Sequence, residues 1–249
     1  MRTPLKRRPA SARSWWRRLA ALGAGLASTG ALAAALEASP VVHEVPAERS
    51  ALAMSISNRG AAPVTVQVRA FEWSQPDGDD RLVPAPTVLL SPPIFTLEPG
   101  RSQIVRALLP APPPGRAPSE RSWRLLVDEI PDPRADAAPI RFALRLSIPV
   151  FHAAPRQASA ALEARRDDHA LVLRNQGGRR ARLRDLALVG ANGERWPLPG
   201  PSFIDLLAGA PRRWSWPVGA DAAAPLRIVA VGDAGAIEVP LAGPGRSTP

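Results

Sequence analysis

Hydrophobic and polar residues alternate along much of this chain, in short runs separated by turn-forming residues. In the most regular run Ile140, Phe142, Leu144, Leu146 and Ile148 alternate with arginine, alanine and serine. A period of two residues places these five large side chains on one face of a β-strand. The run therefore predicts either a core strand of a β-sandwich, or a strand that offers this face and its free edge to a partner chain.

Shorter runs of the same kind fill residues 34–153, which we interpret as one domain. Alternating segments at 51–58, 64–73, 102–109 and 121–130 are separated by clusters rich in proline, glycine, asparagine and aspartate. About seven strands in roughly 115 residues are typical of an Ig-like sandwich. The acidic segment 76–80 lacks the ligand spacing of a calcium loop, so we predict a solvated hairpin turn there.

Residues 156–249 predict a second, smaller all-β sandwich, which follows a linker at 154–156. A basic cluster of four arginines lies in this half, at Arg179, Arg180, Arg182 and Arg184. It predicts a solvated strand face or, alternatively, a contact with a membrane partner. The fold class predicted for the whole chain is all-β, with two Ig-like sandwiches.

The first 33 residues have the pattern of a secretory signal peptide. A basic segment is followed by an uncharged run rich in alanine and leucine, and Ala31-Leu32-Ala33 resembles a cleavage site. We expect cleavage after Ala33, export to the periplasm and no stable membrane insertion afterwards. An uncleaved membrane anchor is the alternative, although the apolar run is short for a span.

Composition excludes several functions. The net charge is +10, but seven basic residues lie in the leader, so its removal leaves about +3 and little basis for nucleic-acid binding. The chain has no cysteine, and its three histidines are widely separated, so we expect no metal site and no cofactor. No nucleophile elbow and no phosphate-binding loop is present, and we expect the chain not to be an enzyme.

A set of short motifs, in order, resembles the periplasmic pilus-assembly chaperones, and most closely the branch associated with spore coat U-type pilins. The motifs are Ser39-Pro40, Asn58, Phe71-x-Trp73-x-Gln75, Ser91-Pro92-Pro93-Ile94-Phe95, Pro99-Gly100-x-x-Gln103-x-Val105-Arg106, Arg124-Leu125-Leu126-x-x-Glu129-Ile130-Pro131 and the alternating run. The resemblance covers nearly all of the first domain and is much weaker in the second.

The resemblance implies donor-strand complementation, in which a chaperone lends a strand to a pilin subunit that lacks one. We therefore expect Ile140, Phe142, Leu144, Leu146 and Ile148 to form the face that includes the donor residues. The implied partners are pilin subunits of the spore coat U type and an outer-membrane usher. Folding of the bound subunit supplies the free energy, so no nucleotide is required.

The resemblance also implies a buried ion-pair cluster that joins the two domains. The matching positions here are Arg106, Glu120 and Asp233, and all three carry the charge that the family has there.

One departure concerns the two basic residues with which many family members hold the C-terminal carboxylate of the subunit. Pro40 and Pro149 occupy the matching positions, and proline cannot donate a hydrogen bond. Arg145 and His152 are the nearby candidates for a replacement anchor.

Two other functions stay open at this stage. The chain is alternatively a secreted Ig-like adhesin or structural pilus component, without chaperone activity. An envelope enzyme or a carbohydrate-binding module that uses Trp214 and Trp216 is a third interpretation, although a core or interface role for tryptophans is more common.

Overall fold

The computed structural model describes residues 36–111, 119–131, 143–153, 158–167, 170–220 and 225–242, and every regular element in these ranges is a β-strand. The predicted leader and linker lie outside the described residues. None of the described residues belongs to a helix of the length and hydrophobicity needed to cross a bilayer. The prediction of an all-β fold is confirmed.

The first sandwich consists of two sheets. Its strands are β1 (Leu36–Ser39), β2 (His43–Val45), β3 (Ala51–Asn58), β4 (Val64–Ser74), β5 (Arg81–Pro84), β6 (Leu89–Ser91), β7 (Ile94–Leu97), β8 (Ser102–Leu108), β9 (Arg121–Ile130) and β10 (Arg145–His152). One sheet has the order β1-β3-β8-β6, and the other has the order β2-β10-β9-β4-β5, with β7 also paired to β4.

The alternation in the sequence explains why these strands face each other. Met54 and Ile56 on β3 and Val66 and Val68 on β4 are nearly fully buried, while their neighbours in sequence are only half-buried. The two inward faces meet around Trp123 of β9 and form the first hydrophobic core.

The second sandwich consists of the remaining strands, which form one connected sheet around a second core. They are β11 (Leu162–Asp167), β12 (Ala170–Asn175), β13 (Ala181–Gly190), β14 (Arg195–Pro197), β15 (Phe203–Leu206), β16 (Pro211–Ser215), β17 (Leu226–Gly232) and β18 (Gly235–Ala242). Their order is β14-β13-β17-β18-β11-β12-β16, with β15 paired to β13. Leucines of β12 and β13 pack against Ile228 of β17 in this core.

Two aromatic residues of the first sandwich belong to the core of the second. Trp73 of β4 and Phe151 of β10 are 4% and 1% exposed, and their ring centroids lie 5.8 Å apart. Both pack with the second core rather than with the first. Trp214 is also buried there, and its Nε1 donates to the carbonyl of Pro199 at 2.9 Å, in agreement with the predicted core role.

The acidic turn at 76–80 is not wholly solvated, and that prediction is wrong at Gly78. This residue is buried, and Arg212 Nη1 of the second sandwich donates to its carbonyl oxygen at 2.9 Å. A β-carbon at Gly78 would lie 3.4 Å from the backbone nitrogen of Arg213, and the φ of +98° favours glycine. The turn therefore contacts β16 across the interface between the sandwiches.

Candidate functional site

Strand β10 has an unpaired edge over part of its length in the region that the structure describes. On one side it pairs with β9 from Arg145 to His152. On the other side it pairs with β2, and only from Val150 to His152. The edge at residues 145–149 therefore has no described strand beside it. Its outward main-chain groups are available to an incoming strand.

The apolar face of β10 lies against the first core. Ile148 is 5% exposed and belongs to that core, whereas Leu144 and Leu146 are half-buried and pack against its margin. Ile140 and Phe142, the other residues of the predicted donor face, lie outside the described residues. The described part of this face is thus partly accessible at Leu144 and fully covered at Ile148.

The opposite face of β10 carries an ion-pair bridge across three strands. Arg145 of β10 hydrogen-bonds one carboxylate oxygen of Asp128 on β9, and Nη2 of Arg69 on β4 hydrogen-bonds the other at 2.8 Å. Burial acts to raise the pKa of Asp128, but the hydrogen bonds and charges of Arg145 and Arg69 outweigh it and lower that pKa. Arg145, a candidate anchor for the subunit carboxylate, therefore already has a carboxylate partner in Asp128.

His152, the second candidate anchor, is 7% exposed and lies against Trp123, with ring centroids 6.5 Å apart. Its Nε2 atom is buried and has no hydrogen-bond partner in the part of the chain that the structure describes. A side chain enclosed in this way does not reach an anion at the surface unless the strand moves.

Arg124 of β9 is a cation that the structure leaves without a carboxylate partner among the described residues. Its guanidinium carbon lies 3.8 Å from the centroid of the Trp73 ring. Burial lowers the pKa of Arg124, and Asp80 and Asp205 raise it only through charge attraction at longer range. Across the sheet Arg124 pairs with Pro149. A half-buried positive charge therefore lies beside the end of the open edge.

The two prolines at the expected anchor positions differ in environment. Pro40 follows β1 and is exposed, whereas Pro149 is buried within β10. Neither has an N–H group, so neither is able to donate to a carboxylate.

A buried ion pair joins the two sandwiches. Nη1 of Arg180 lies 2.6 Å from Oε2 of Glu120, and the two side chains are 6% and 3% exposed. Arg180 also forms an ion pair with Glu44 of β2, and its guanidinium carbon lies 3.6 Å from the centroid of the Phe151 ring. One arginine of the second sandwich therefore holds two acidic residues and an aromatic ring of the first.

The members of this cluster differ from the predicted set, of which it contains only Glu120. Arg106 is exposed, because on β8 the inward positions belong to its neighbours Val105 and Ala107. Asp233 is exposed in the turn between β17 and β18. Burial raises the pKa of Glu120, and the charge and hydrogen bonds of Arg180 oppose that rise.

Gln75 forms a second connection between the sandwiches. Its side-chain amide donates to the carbonyl oxygen of Asp205 at 2.9 Å, and its side-chain oxygen accepts from the backbone nitrogen of Leu207 at 3.0 Å. It also donates to the Asp80 carboxylate at 2.8 Å. Gln75 is 7% exposed, so these bonds are shielded from water.

Sequence reasoning missed Arg124 and Arg180. Arg180 lies in the arginine cluster that we interpreted as a solvated strand face, and this interpretation is wrong for Arg180, because the side chain is buried. The only sequence signal for Arg124 is its place at the start of the Arg124-Leu125-Leu126 motif, which does not say what the side chain contacts.

Residues 36–158 match the family described as pili and flagellar-assembly chaperone, PapD N-terminal domain. A comparison with curated protein sequences found no match.

Several solved structures share the fold. The chaperone–tip adhesion subunit complex CsuC–CsuE of archaic Csu pili from Acinetobacter baumannii matches with a TM-score of 0.64 and 22% identity, over 84% of this chain and 100% of the other. The Pseudomonas aeruginosa CupB2 chaperone matches with a TM-score of 0.56 and 20% identity, over 83% and 100%. The Salmonella enterica SafA pilin in complex with the SafB chaperone matches with a TM-score of 0.58 and 14% identity, over 83% and 96%.

Proposed function

Because this chain belongs to the pilus-assembly chaperones through its PapD N-terminal domain, residues 36–158, we propose that it binds pilin subunits by adding the open edge of β10 to their sheets. Chaperones of this kind are not enzymes, and the proposed task needs none of the chemistry of an active site. It needs an extended segment with free main-chain groups and accessible apolar side chains.

The unpaired edge of β10 at residues 145–149 is the observation that carries this proposal. An edge of this kind is a template for another chain, and the half-buried Leu144 and Leu146 add apolar contacts next to it. Main-chain hydrogen bonds would give affinity that tolerates changes in subunit sequence, while the apolar side chains would set the register. Ile140 and Phe142 would continue the same face.

We assign the anchoring of a subunit carboxylate to Arg124 rather than to the two candidates from the sequence. Arg145 already pairs with Asp128, and His152 is enclosed. Arg124 has no carboxylate within ion-pair distance among the described residues, and it lies across the sheet from Pro149 at the end of the open edge. An incoming carboxylate there would supply the counter-charge that the half-buried guanidinium lacks.

The finer parts of the proposal concern partners and location. We propose that the subunits are spore coat U-type pilins, that an outer-membrane usher receives the complex, and that residues 1–33 direct export to the periplasm. The supporting observations are the sequence motifs and the leader pattern. N-terminal sequencing of the exported protein tests the leader, and a start after Ala33 is the expected result.

Co-expression in a bacterial periplasm tests the central proposal. The tagged chain is produced with each pilin subunit encoded beside it, as wild type, as Leu144→Arg and as Ile104→Arg. Ile104 is 48% exposed on the other sheet of the first sandwich, so it is a matched control for an added surface charge. The expected result is a one-to-one complex that Leu144→Arg abolishes and Ile104→Arg retains. No complex with any of these subunits, or one indifferent to Leu144→Arg, would overturn the proposal.

A further inference from the structure

The main-chain groups of β10 alternate between its two neighbours. The carbonyl oxygen of Leu144 accepts from the backbone nitrogen of Glu129, so residue 144 points its main chain towards the partner strand β9. At the other end, the backbone nitrogen of Ala153 donates to the carbonyl oxygen of Val45, so residue 153 points its main chain towards β2. Because the direction alternates residue by residue, Arg145, Ser147, Pro149 and Phe151 point towards the open edge and β2.

This edge offers an unusual pattern of hydrogen-bonding groups. Arg145 and Ser147 each present an N–H group and a carbonyl. Pro149 presents no N–H group, and its carbonyl faces His43 in the parallel ladder that begins with Val150. From Val150 onwards the edge is occupied by β2. Within the described residues, an incoming strand therefore finds two donors, then one position without a donor, and then a closed edge.

The β2 strand that closes the edge is held by the second sandwich. Glu44, the central residue of β2, pairs with Phe151 across the ladder and forms an ion pair with Arg180. The guanidinium of Arg180 also stacks on the Phe151 ring. Strand β2 thus forms a cover over the edge at Val150–His152. One side chain of the second sandwich, Arg180, holds this cover through contacts with both β2 and β10.

We propose that Pro149 and the cover formed by β2 together act as a register stop for the strand added to β10. This inference rests on the proposed function. A one-residue slip of the added strand turns its apolar side chains to the wrong face. A two-residue slip towards β2 keeps the faces correct, but it places a carbonyl of the added strand opposite Pro149, where no donor exists, and brings the strand against β2.

Loss of one hydrogen bond of this kind lowers the equilibrium constant for binding of the added strand about two- to tenfold. A buried carbonyl that has neither a protein donor nor a water molecule as partner lowers it further. Pro149 thus disfavours the slipped register in addition to the contact with β2. A replacement residue with an N–H group removes the first of these two obstacles.

The absence of cysteine allows the register to be measured directly by disulfide trapping. Ser147→Cys is introduced into the chain, and single cysteines are introduced at successive positions of the bound segment of a pilin subunit encoded beside it. Because a disulfide forms only between β-carbons about 3.5–4.5 Å apart, the position that cross-links reports the register. The experiment is run with Pro149 intact, with Pro149→Val, and with Pro84→Val as control. Pro84 is an exposed strand proline on β5, away from β10.

The expected result is one cross-linked position with Pro149 intact and with Pro84→Val. With Pro149→Val, we expect a second position two residues away to gain at least about a fifth of the product. A single unchanged position with Pro149→Val would overturn the register stop while leaving the proposed function intact. Failure of the protein with Pro149 intact to form any complex would overturn the proposed function itself.

Amide hydrogen exchange of the unmodified protein gives a second readout that does not depend on the folding of a variant. On binding of the subunit, the amides of Arg145 and Ser147 should become protected from exchange. The amide of Phe151 points towards β2 and should be equally protected with and without subunit. Loss of protection at Phe151 on binding would show that the cover is displaced, and would contradict the register stop.

Discussion

Arg180 of the second sandwich and Glu120 of the first form an ion pair at 2.6 Å in which both side chains are almost completely buried. Taking two charges out of water is costly unless each has a partner, so the pair matters mainly through what happens when one member is removed. We expect Glu120→Gln to leave the Arg180 charge with the half-solvated Glu44 and with Asp205 at 3.8 Å. The variant should lower the free energy of unfolding by about 3 kcal/mol. Urea denaturation followed by tryptophan fluorescence measures the change.

The double variant Glu120→Leu with Arg180→Met separates the contribution of charge pairing to the free energy of unfolding from that of side-chain packing. It removes both charges, so it should be less destabilised than the sum of the two single variants. A Glu120→Gln variant within about 0.5 kcal/mol of the wild type would show that the pair does not contribute to stability.

Gln75→Leu should weaken the contact between the sandwiches. It leaves the carbonyl of Asp205 and the backbone nitrogen of Leu207 without the partner seen in the structure, at a cost of about 1–3 kcal/mol for each buried group. Gln103→Leu is the matched control, because within the described ranges the Gln103 side chain bonds only the carbonyl of its exposed neighbour Ile104. Thermal unfolding compares the two, and equal transition temperatures would contradict the assigned role of Gln75.

Arg124→Gln should weaken subunit binding about tenfold to a hundredfold, since hydrogen bonds between charged groups are worth about 1.5–3 kcal/mol. The dissociation constant of the chaperone–pilin complex measures this effect, together with its dependence on salt concentration. Arg81→Gln on the exposed strand β5 removes the same charge away from Pro149. If the two variants weaken binding equally, Arg124 contributes through net charge alone and is not the anchor.

His43 makes stability depend on pH in the mildly acidic range. Burial lowers its pKa from the ordinary value of 6.5, so the unfolded chain takes up a proton before the folded chain does. The contribution is fully present above about pH 6.5 and is lost as the pH falls from there towards the folded-state pKa. His43→Leu should flatten the fall in unfolding free energy between about pH 7.5 and pH 5. Parallel curves for wild type and variant would contradict this.

The strands were the most predictable part of this molecule, for a physical reason. Segments such as 64–73 have one buried face and one more exposed face, so apolar and polar residues alternate in the sequence with a period of two. The run from Ile140 to Ile148 is different, because its five alternating apolar residues are compatible with both a core strand and a donor strand. Only the sheet order shows that residues 145–149 lack a described neighbour on one side.

The charged residues were less predictable, because their partners are distant in sequence. Glu120 and Arg180 are sixty positions apart, and nothing in the local pattern of either residue indicates the other. Arg106 has the expected charge, but its position on β8 points outwards, and charge alone does not reveal direction. Gln75 was visible as part of a motif, although the motif did not show that its amide crosses to the second sandwich.

The placement of Trp73 and Phe151 has a consequence for how the chain is put together. Both rings complete the core of the second sandwich although they belong to strands of the first. The second sandwich alone would therefore have a gap the size of two aromatic side chains, lined by leucine and exposed to water. The two sandwiches of this protein are consequently not independent folding units. Exchanging one half between relatives, or producing the second without the first, requires that these two aromatic residues be supplied again.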